Sequence, residues 1–441
     1  MRESCHSLDR LAVTFDDDHA VANAGLILPA TLAQHLGLRE LFDRHVDLGD
    51  APGRANVAIK AITLVHSALA GGDCIDDADR MRVAETPSVL GHGVRAPSTL
   101  GTFLRSFTWG HVSQLERVQD ELLRRAWAAG AGPGDDPVTI DVDSTICETY
   151  GLQKQGAKFG YTKVRGYHPL LATVAELDQV VGARLRGGNV HTARGAASFL
   201  TTVFRRIRAA GATGAMVMRA DSGFYNRKVT AACEKDGVAY SITVKLSKSL
   251  LKKIAAIDEE SWTPIPYWME GGADVAEIAY RPFSARHKQV RLIVRRTKPT
   301  PGTQLALLAT YDYHACITDR DGDTIELEAD HRRHAVCEDT IRDLKYGVGL
   351  NHLPSGRFAA NAAWMVFNLI AHNLSRWVER IGLGREAAPM TTKTLRTRLL
   401  NLPGRITTSG RKQTLHLPTL WPWKDQFHTV LDNLRAVVLV T

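Results

Sequence analysis

The stretch that most constrains the fold is a change of pattern at residue 138. The Gly- and Pro-rich run A-G-A-G-P-G-D-D-P, residues 129–137, cannot continue a helix and reads as a linker. Directly after it, V-T-I-D-V-D-S-T-I alternates apolar and polar positions and is rich in β-branched residues, which is the pattern of a strand. Side chains alternate along a strand, so Asp141, Asp143 and Thr145 share one face while Ile140, Val142 and Ile146 flank them. Two carboxylates on one face repel each other unless something offsets them. A metal ion, a neighbouring Lys or Arg, or an edge open to water would each serve.

Ahead of the linker the pattern is helical. Leu32, Leu36, Leu38 and Leu41 fall in one helix-rich run, and Val57, Ile59, Ile62, Val65 and Leu69 recur at helical spacing. Pro97-Ser98-Thr99 starts another helix, and a second follows from Val112 to Ala126 across a Trp109-Gly110 junction. That pair suits either a helix-turn-helix or the core of a bundle. Residues 1–130 are therefore expected to form a helical N-terminal region, for which DNA contact stands as one reading beside bundle core.

After the linker, Y-H-P-L-L-A-T-V-A-E-L and V-V-G-A-R-L-R form a hairpin turning at Asp178-Gln179. An amphipathic helix (Ala193 to Ala210), the strand A-M-V-M-R-A, a helix (Asn226 to Asp236) and the strand V-A-Y-S-I-T-V-K-L come next. Strands followed by alternating helices and strands predict an α/β domain. Asp221 stands at the carboxyl end of an apolar strand before a Gly, where open sheets place chemistry and where a capping Asp would also sit. The run G-L-Q-K-Q-G-A-K, residues 151–158, fails as a P-loop, because Ala157 stands where Lys is required.

Residues 247–330 carry short β-like runs, including L-A-L-L-A-T-Y, together with Trp262 and Trp268, and predict a β-rich insertion. H-R-R-H-A-V-C-E-D-T-I-R-D-L-K, residues 331–345, follows. On a helix at about 100° per residue, His331, His334, Glu338 and Lys345 fall within an arc of about 60°. A surface helix laced with ion pairs would also group its charges. A long apolar helix, about Phe358 to Val378, is expected to pack behind it, and a basic region with Arg405, Arg411 and Lys412 closes the chain.

Composition narrows the function classes. The 441 residues suffice for roughly two to four domains. A net charge of +8 favours a polyanionic partner. Six scattered cysteines without a C-x-x-C pair argue against a disulfide framework or a zinc site and for a reducing compartment. With no signal-peptide pattern and no apolar run of membrane-spanning length, a soluble cytoplasmic protein without a membrane partner is expected.

Asp143, Asp221 and Glu338 then form a candidate set. Carboxylates from separate elements can hold two hard cations roughly 3.5–4 Å apart for in-line displacement at phosphorus. Mg²⁺ suits oxygen ligands, and Mn²⁺ is expected to substitute for it. On T-I-D-V-D-S-T, V-M-R-A-D-S-G-F-Y, Y-H-A-C-I-T-D, the 331–345 run and P-G-R-I-T-T-S-G-R-K-Q-T-L-H-L-P, the chain resembles bacterial insertion-sequence DDE transposases. More narrowly, it is similar to the insertion-sequence thirteen-eighty group.

The resemblance implies a ribonuclease-H-like mixed sheet flanked by helices, built from 137–246 and 331–384. The β insertion would span 247–330, and the basic C-terminal region 385–441. It implies Asp143, Asp221 and Glu338 as catalytic metal ligands, with Asp141 as a supporting acid or as the alternative to Asp143. Lys345, His334, His331 and Arg342 would contact DNA, and Trp262, Trp268 or Tyr311 would stack on a base. The related signature has Tyr and Arg where this chain has His331 and His334, so a forked cation is replaced by a titratable ring. The implied partner is double-stranded DNA, both terminal inverted repeats and target, bound by a homodimer.

Overall fold

The computed structural model describes residues 8–160, 162–268, 271–284, 287–298 and 311–438. Ahead of residue 138 the chain forms α1 (Ile27–His35), α2 (Leu38–His45), α3 (Val57–Leu69), α4 (Pro97–Arg105) and α5 (Trp109–Ala126). Pro97 opens α4, where its missing N–H costs nothing. Past α5 the helical path ends at Gly130, whose φ of 102° is open to glycine and strained for other residues.

Beyond the linker come β1 (Val138–Ser144), β2 (Leu170–Val174), β3 (Gln179–Arg184), α6 (Ala196–Ala209), β4 (Met216–Ala220), α7 (Arg227–Lys235) and β5 (Ala239–Thr243). They pair in the order β3-β2-β1-β4-β5. β1, β4 and β5 run parallel, while β2 is antiparallel to both β1 and β3. With helices on its faces, this order and polarity is ribonuclease-H-like.

The insertion extends the same sheet. Its strands β6 (Thr263–Ile265), β7 (Ala273–Tyr280), β8 (Val290–Thr297) and β9 (Asp312–Thr318) form an antiparallel run. β9 joins β5 through Cys316–Thr243, Ile317–Ile242 and Thr318–Ser241. The result is one nine-stranded sheet. Of the expected strand L-A-L-L-A-T-Y, residues 305–310 lie outside the described residues.

The run at 331–345 is not one helix. α8 (Thr324–Arg332) gives way to a 3₁₀ turn (Arg333–Val336), then α9 (Cys337–Arg342), then a π turn (Asp343–Gly347). The single arc drawn for a continuous α-helix therefore does not hold. Behind it α10 runs from Phe358 to Gly382, longer than its apolar pattern indicated, and is buried over nearly its whole length. It packs against β3, α3 and α5. Phe367 meets the rings of Phe103 and Phe107, which places the α4–α5 pair in a bundle core. The N-terminal helices and the nine-stranded sheet consequently share one hydrophobic core.

Candidate active site

A single row of polar side chains crosses the sheet. Ser241 on β5, Arg219 on β4, Asp141 on β1 and Thr173 on β2 are register partners in sequence across four strands. Each takes hold of the segment that ends α8 and begins α9. Ser241 Oγ meets His331 Nδ1 at 2.8 Å, and Arg219 Nη1 donates to the Asp330 carbonyl at 2.6 Å. Asp141 Oδ1 accepts from His334 Nδ1 at 2.9 Å, and Thr173 Oγ1 lies 3.7 Å from Cys337 Sγ.

The next polar position along β1 is Asp143. One residue beyond the Val142–Ala220 pairing, the parallel register sets Asp221 beside it. Asp143 accepts from the Ser144 N–H at 2.6 Å, and Asp221 Oδ1 accepts from the Gly223 N–H at 2.9 Å, so the capping role and a place in the site coexist. A Cβ on Gly223 would come within 2.8 Å of Thr192 Cγ2 and 3.0 Å of Asp221 Oδ1, which is why the turn takes glycine. Glu338 is exposed on the short α9. Burial pushes the Asp143 carboxyl up to about 6; the Ser144 N–H and His334 oppose this, while the charges of Asp221 and Glu338 add to it. Carboxylates from three elements thus lie near enough for the charges of Asp221 and Glu338 to act on Asp143.

The neighbours are arranged differently from the sequence expectation. Asp141 is buried and taken up by Arg219, whose Nε and Nη2 each donate to it at 2.8 Å, so it serves the fold rather than standing in for Asp143. Both ring nitrogens of His331 are engaged by Ser241 and Thr243 at 2.8 Å, and burial lowers the ring to about 3. A neutral ring so committed has nothing left for a phosphate. Trp262 is buried under the Arg296 guanidinium, 4.3 Å from its ring centre, which excludes base stacking there. Tyr311 also lies against the Arg296 guanidinium, 4.6 Å from its ring centre. Trp268 is 83% exposed beside Tyr267. Arg342 is exposed and paired with Asp339 at 2.6 Å. Lys345, on the π turn, borders a cleft lined by Tyr150, Lys154, Asn351 and His352. Arg219 and the polar row were not singled out from sequence; A-M-V-M-R-A, with a lone Arg in an apolar strand, was the available signal.

The family described as transposase DDE domain group 1 matches residues 4–439. The chain belongs to that family. No curated protein shows a match. Among solved structures, the chain is similar to one described as a cryo-EM structure of piggyBac transposase synaptic complex with hairpin DNA. The identity is 12%, the coverage 86% of this chain and 79% of that one, and the TM-score 0.44.

DDE transposase domains generally use divalent metal ions, and the residues here fit that use. Among the described residues none of the three carboxylates is in an ion pair with Lys or Arg, although Asp143 is largely buried. The one described group of three whose ligating atoms all lie within 4.8 Å of one another is Asp73, Cys74 and Asp77. There Asp77 Oδ2 already accepts from the N–H groups of Asp73 and Cys74 and from the Cys74 thiol. Asp143, Asp221 and Glu338 are spread more widely than a single-ion cage of that size. No helix among the described residues is long and apolar enough to cross a membrane.

Proposed function

We propose that the chain is a transposase that binds the terminal inverted repeats of its own mobile element as a homodimer, cuts the DNA there and joins the 3′ ends to target DNA. The nearness of Asp221 and Glu338 to the largely buried Asp143, with no Lys or Arg among the described residues paired to them, carries this reading. Asp143, Asp221 and Glu338 would hold Mg²⁺, or Mn²⁺ in its place. Bound there, divalent ions would supply activation of a water or 3′-hydroxyl and stabilisation of the leaving oxygen. Lys345 would contact DNA phosphate beside the site, and Arg342 would do so further out; Trp268 offers an exposed ring for stacking. The chain's place in the insertion-sequence thirteen-eighty group, a bacterial source and a cytoplasmic location belong to the same proposal.

The test is a labelled terminal repeat incubated with the protein and Mg²⁺. Cutting followed by joining is expected. Asp143→Asn, Asp221→Asn and Glu338→Gln should each lower cleavage by at least about 10³-fold while end binding stays within a few-fold. Wild-type-like cutting by any variant would remove that residue from the site, and nicking without joining would point to a nuclease. A second reading, a DNA-binding protein with an impaired site, draws on His334, whose Nδ1 is committed to Asp141 instead of to a phosphate. Tight end binding without any cutting would favour it.

A further inference from the structure

Glu338 sits on a segment that its own helix cannot hold in place. α9 has six residues, preceded by a 3₁₀ turn and followed by a π turn, so the register of α8 is not carried through to Glu338. His334 stands one turn before Glu338 and makes a 2.9 Å hydrogen bond to the buried row on the sheet, where Cys337 beyond it has only a 3.7 Å sulfur contact with Thr173.

What His334 reaches is rigid. Asp141 is 1% exposed and receives both Arg219 Nε and Nη2 at 2.8 Å. Arg219 is 3% exposed, and its remaining Nη1 donates to the Asp330 carbonyl at 2.6 Å and to Asp330 Oδ1 at 3.1 Å. Asp330 is gripped again from outside by Arg320 and Arg333. A carboxylate can only accept, so His334 Nδ1 carries the proton in this contact. The same ring and Glu338 border a cavity of about 290 Å³, shared with Thr243, Arg295, His314 and His331.

We propose that Arg219, Asp141 and His334 form a positioning relay that fixes Glu338 over Asp143, and that His334 acts through Nδ1 rather than through Nε2. This rests on the transposase reading of Glu338. Asp141 sits two residues before Asp143 on the same strand, so the relay ties the helix-borne carboxylate to the strand that bears its partner. The buried Arg219–Asp141 pair also explains why a ring serves at 334: the guanidinium already present leaves room and charge for a single N–H donor.

The two ring nitrogens can be mimicked separately. The side-chain nitrogen of Asn falls near the Nδ1 position, and that of Gln near Nε2. His334→Asn should therefore cleave a terminal repeat at least about tenfold faster than His334→Gln, the difference lying in kcat while KM for DNA and the melting temperature of the two variants agree. Hydrogen exchange of the backbone amides from 333 to 342, read without DNA or metal, should speed up in His334→Gln and stay close to wild type in His334→Asn. Equal exchange in the two variants, or faster cleavage by His334→Gln, would overturn the relay. If no form of the protein cleaves but exchange still separates Asn from Gln, the relay stands and the transposase reading fails. Asp141→Asn alone cannot decide, because it strands Arg219 in the core and risks unfolding.

Discussion

At the scale of single residues, the electrostatics of Asp143 make a pH prediction with a definite sign. Its carboxyl is raised from an ordinary value of 3.8 to about 6, first by burial and then by Asp221 and Glu338. The fold thus favours the protonated form. That contribution to stability is fully present below about pH 3.8 and is lost as pH rises through 6. In the absence of divalent ions, urea unfolding should show wild type losing on the order of 2–3 kcal/mol relative to Asp143→Asn between acid and neutral pH. Adding Mg²⁺ at neutral pH should narrow that gap. Parallel stability curves for the two proteins would show that the carboxylate is not under this strain. The alternation of V-T-I-D-V-D-S-T made both Asp141 and Asp143 legible as same-face carboxylates. Which of them is neutralised depends on Arg219, and that partner is fixed by the parallel register of β1 against β4, which local pattern does not encode.

At the scale of elements, the segment after α8 shows where helical periodicity misleads. A reading at about 100° per residue assumes one continuous α-helix. The polar row on the sheet instead engages His331, His334 and Cys337, residues three apart. A 3₁₀ turn aligns side chains at that interval, whereas an α-helix offsets each from the last by about 60°. The docking surface, not the sequence of the segment, selects the local geometry. By contrast β1, the β2–β3 hairpin, α6 and α7 follow their patterns closely, since each buries an apolar face against the core.

One buried polar knot joins three of these elements. Gln179 Oε1, at the start of β3, accepts from Trp127 Nε1 at 2.7 Å and from Trp377 Nε1 on α10 at 3.0 Å, while its Nε2 donates to the Ala131 carbonyl at 2.9 Å. Gln179→Leu would leave two indole N–H groups and a carbonyl without partners in a fully buried position. The expected cost is about 3–9 kcal/mol, at the rate of about 1–3 kcal/mol for each of the three stranded groups. A denaturant midpoint equal to wild type would show that the knot is dispensable.

At the scale of the whole molecule, the insertion is bound into the structure that presents the site. β9 covers the outer edge of β5 through three register pairs, and β5 supplies Ser241 and Thr243, which hold His331. Insertion strands and α8 also share a small second core, with Ile265, Val275, Ile293 and Cys316 packed against Leu327. Arg295 on β8 pairs with Glu328 on α8, and Arg291 reaches Thr324 at its start. The sequence marked the insertion by its change of rhythm but carried no signal for this attachment, because pairing between strands distant in the chain depends on edges that only the fold creates. Replacing residues 247–322 by a short Gly-Ser linker should therefore not yield a smaller working enzyme. It would bare the β5 edge, with the wholly buried Ile242 on it, and leave Leu327 and Glu328 uncovered. The shortened chain is expected to aggregate, or to stay soluble only with lost near-ultraviolet circular dichroism and raised dye binding. A soluble variant that melted at the wild-type temperature would show that the nine-stranded sheet is two independent structures, and would leave the polar row on β5, β4, β1 and β2 to hold Glu338 unaided.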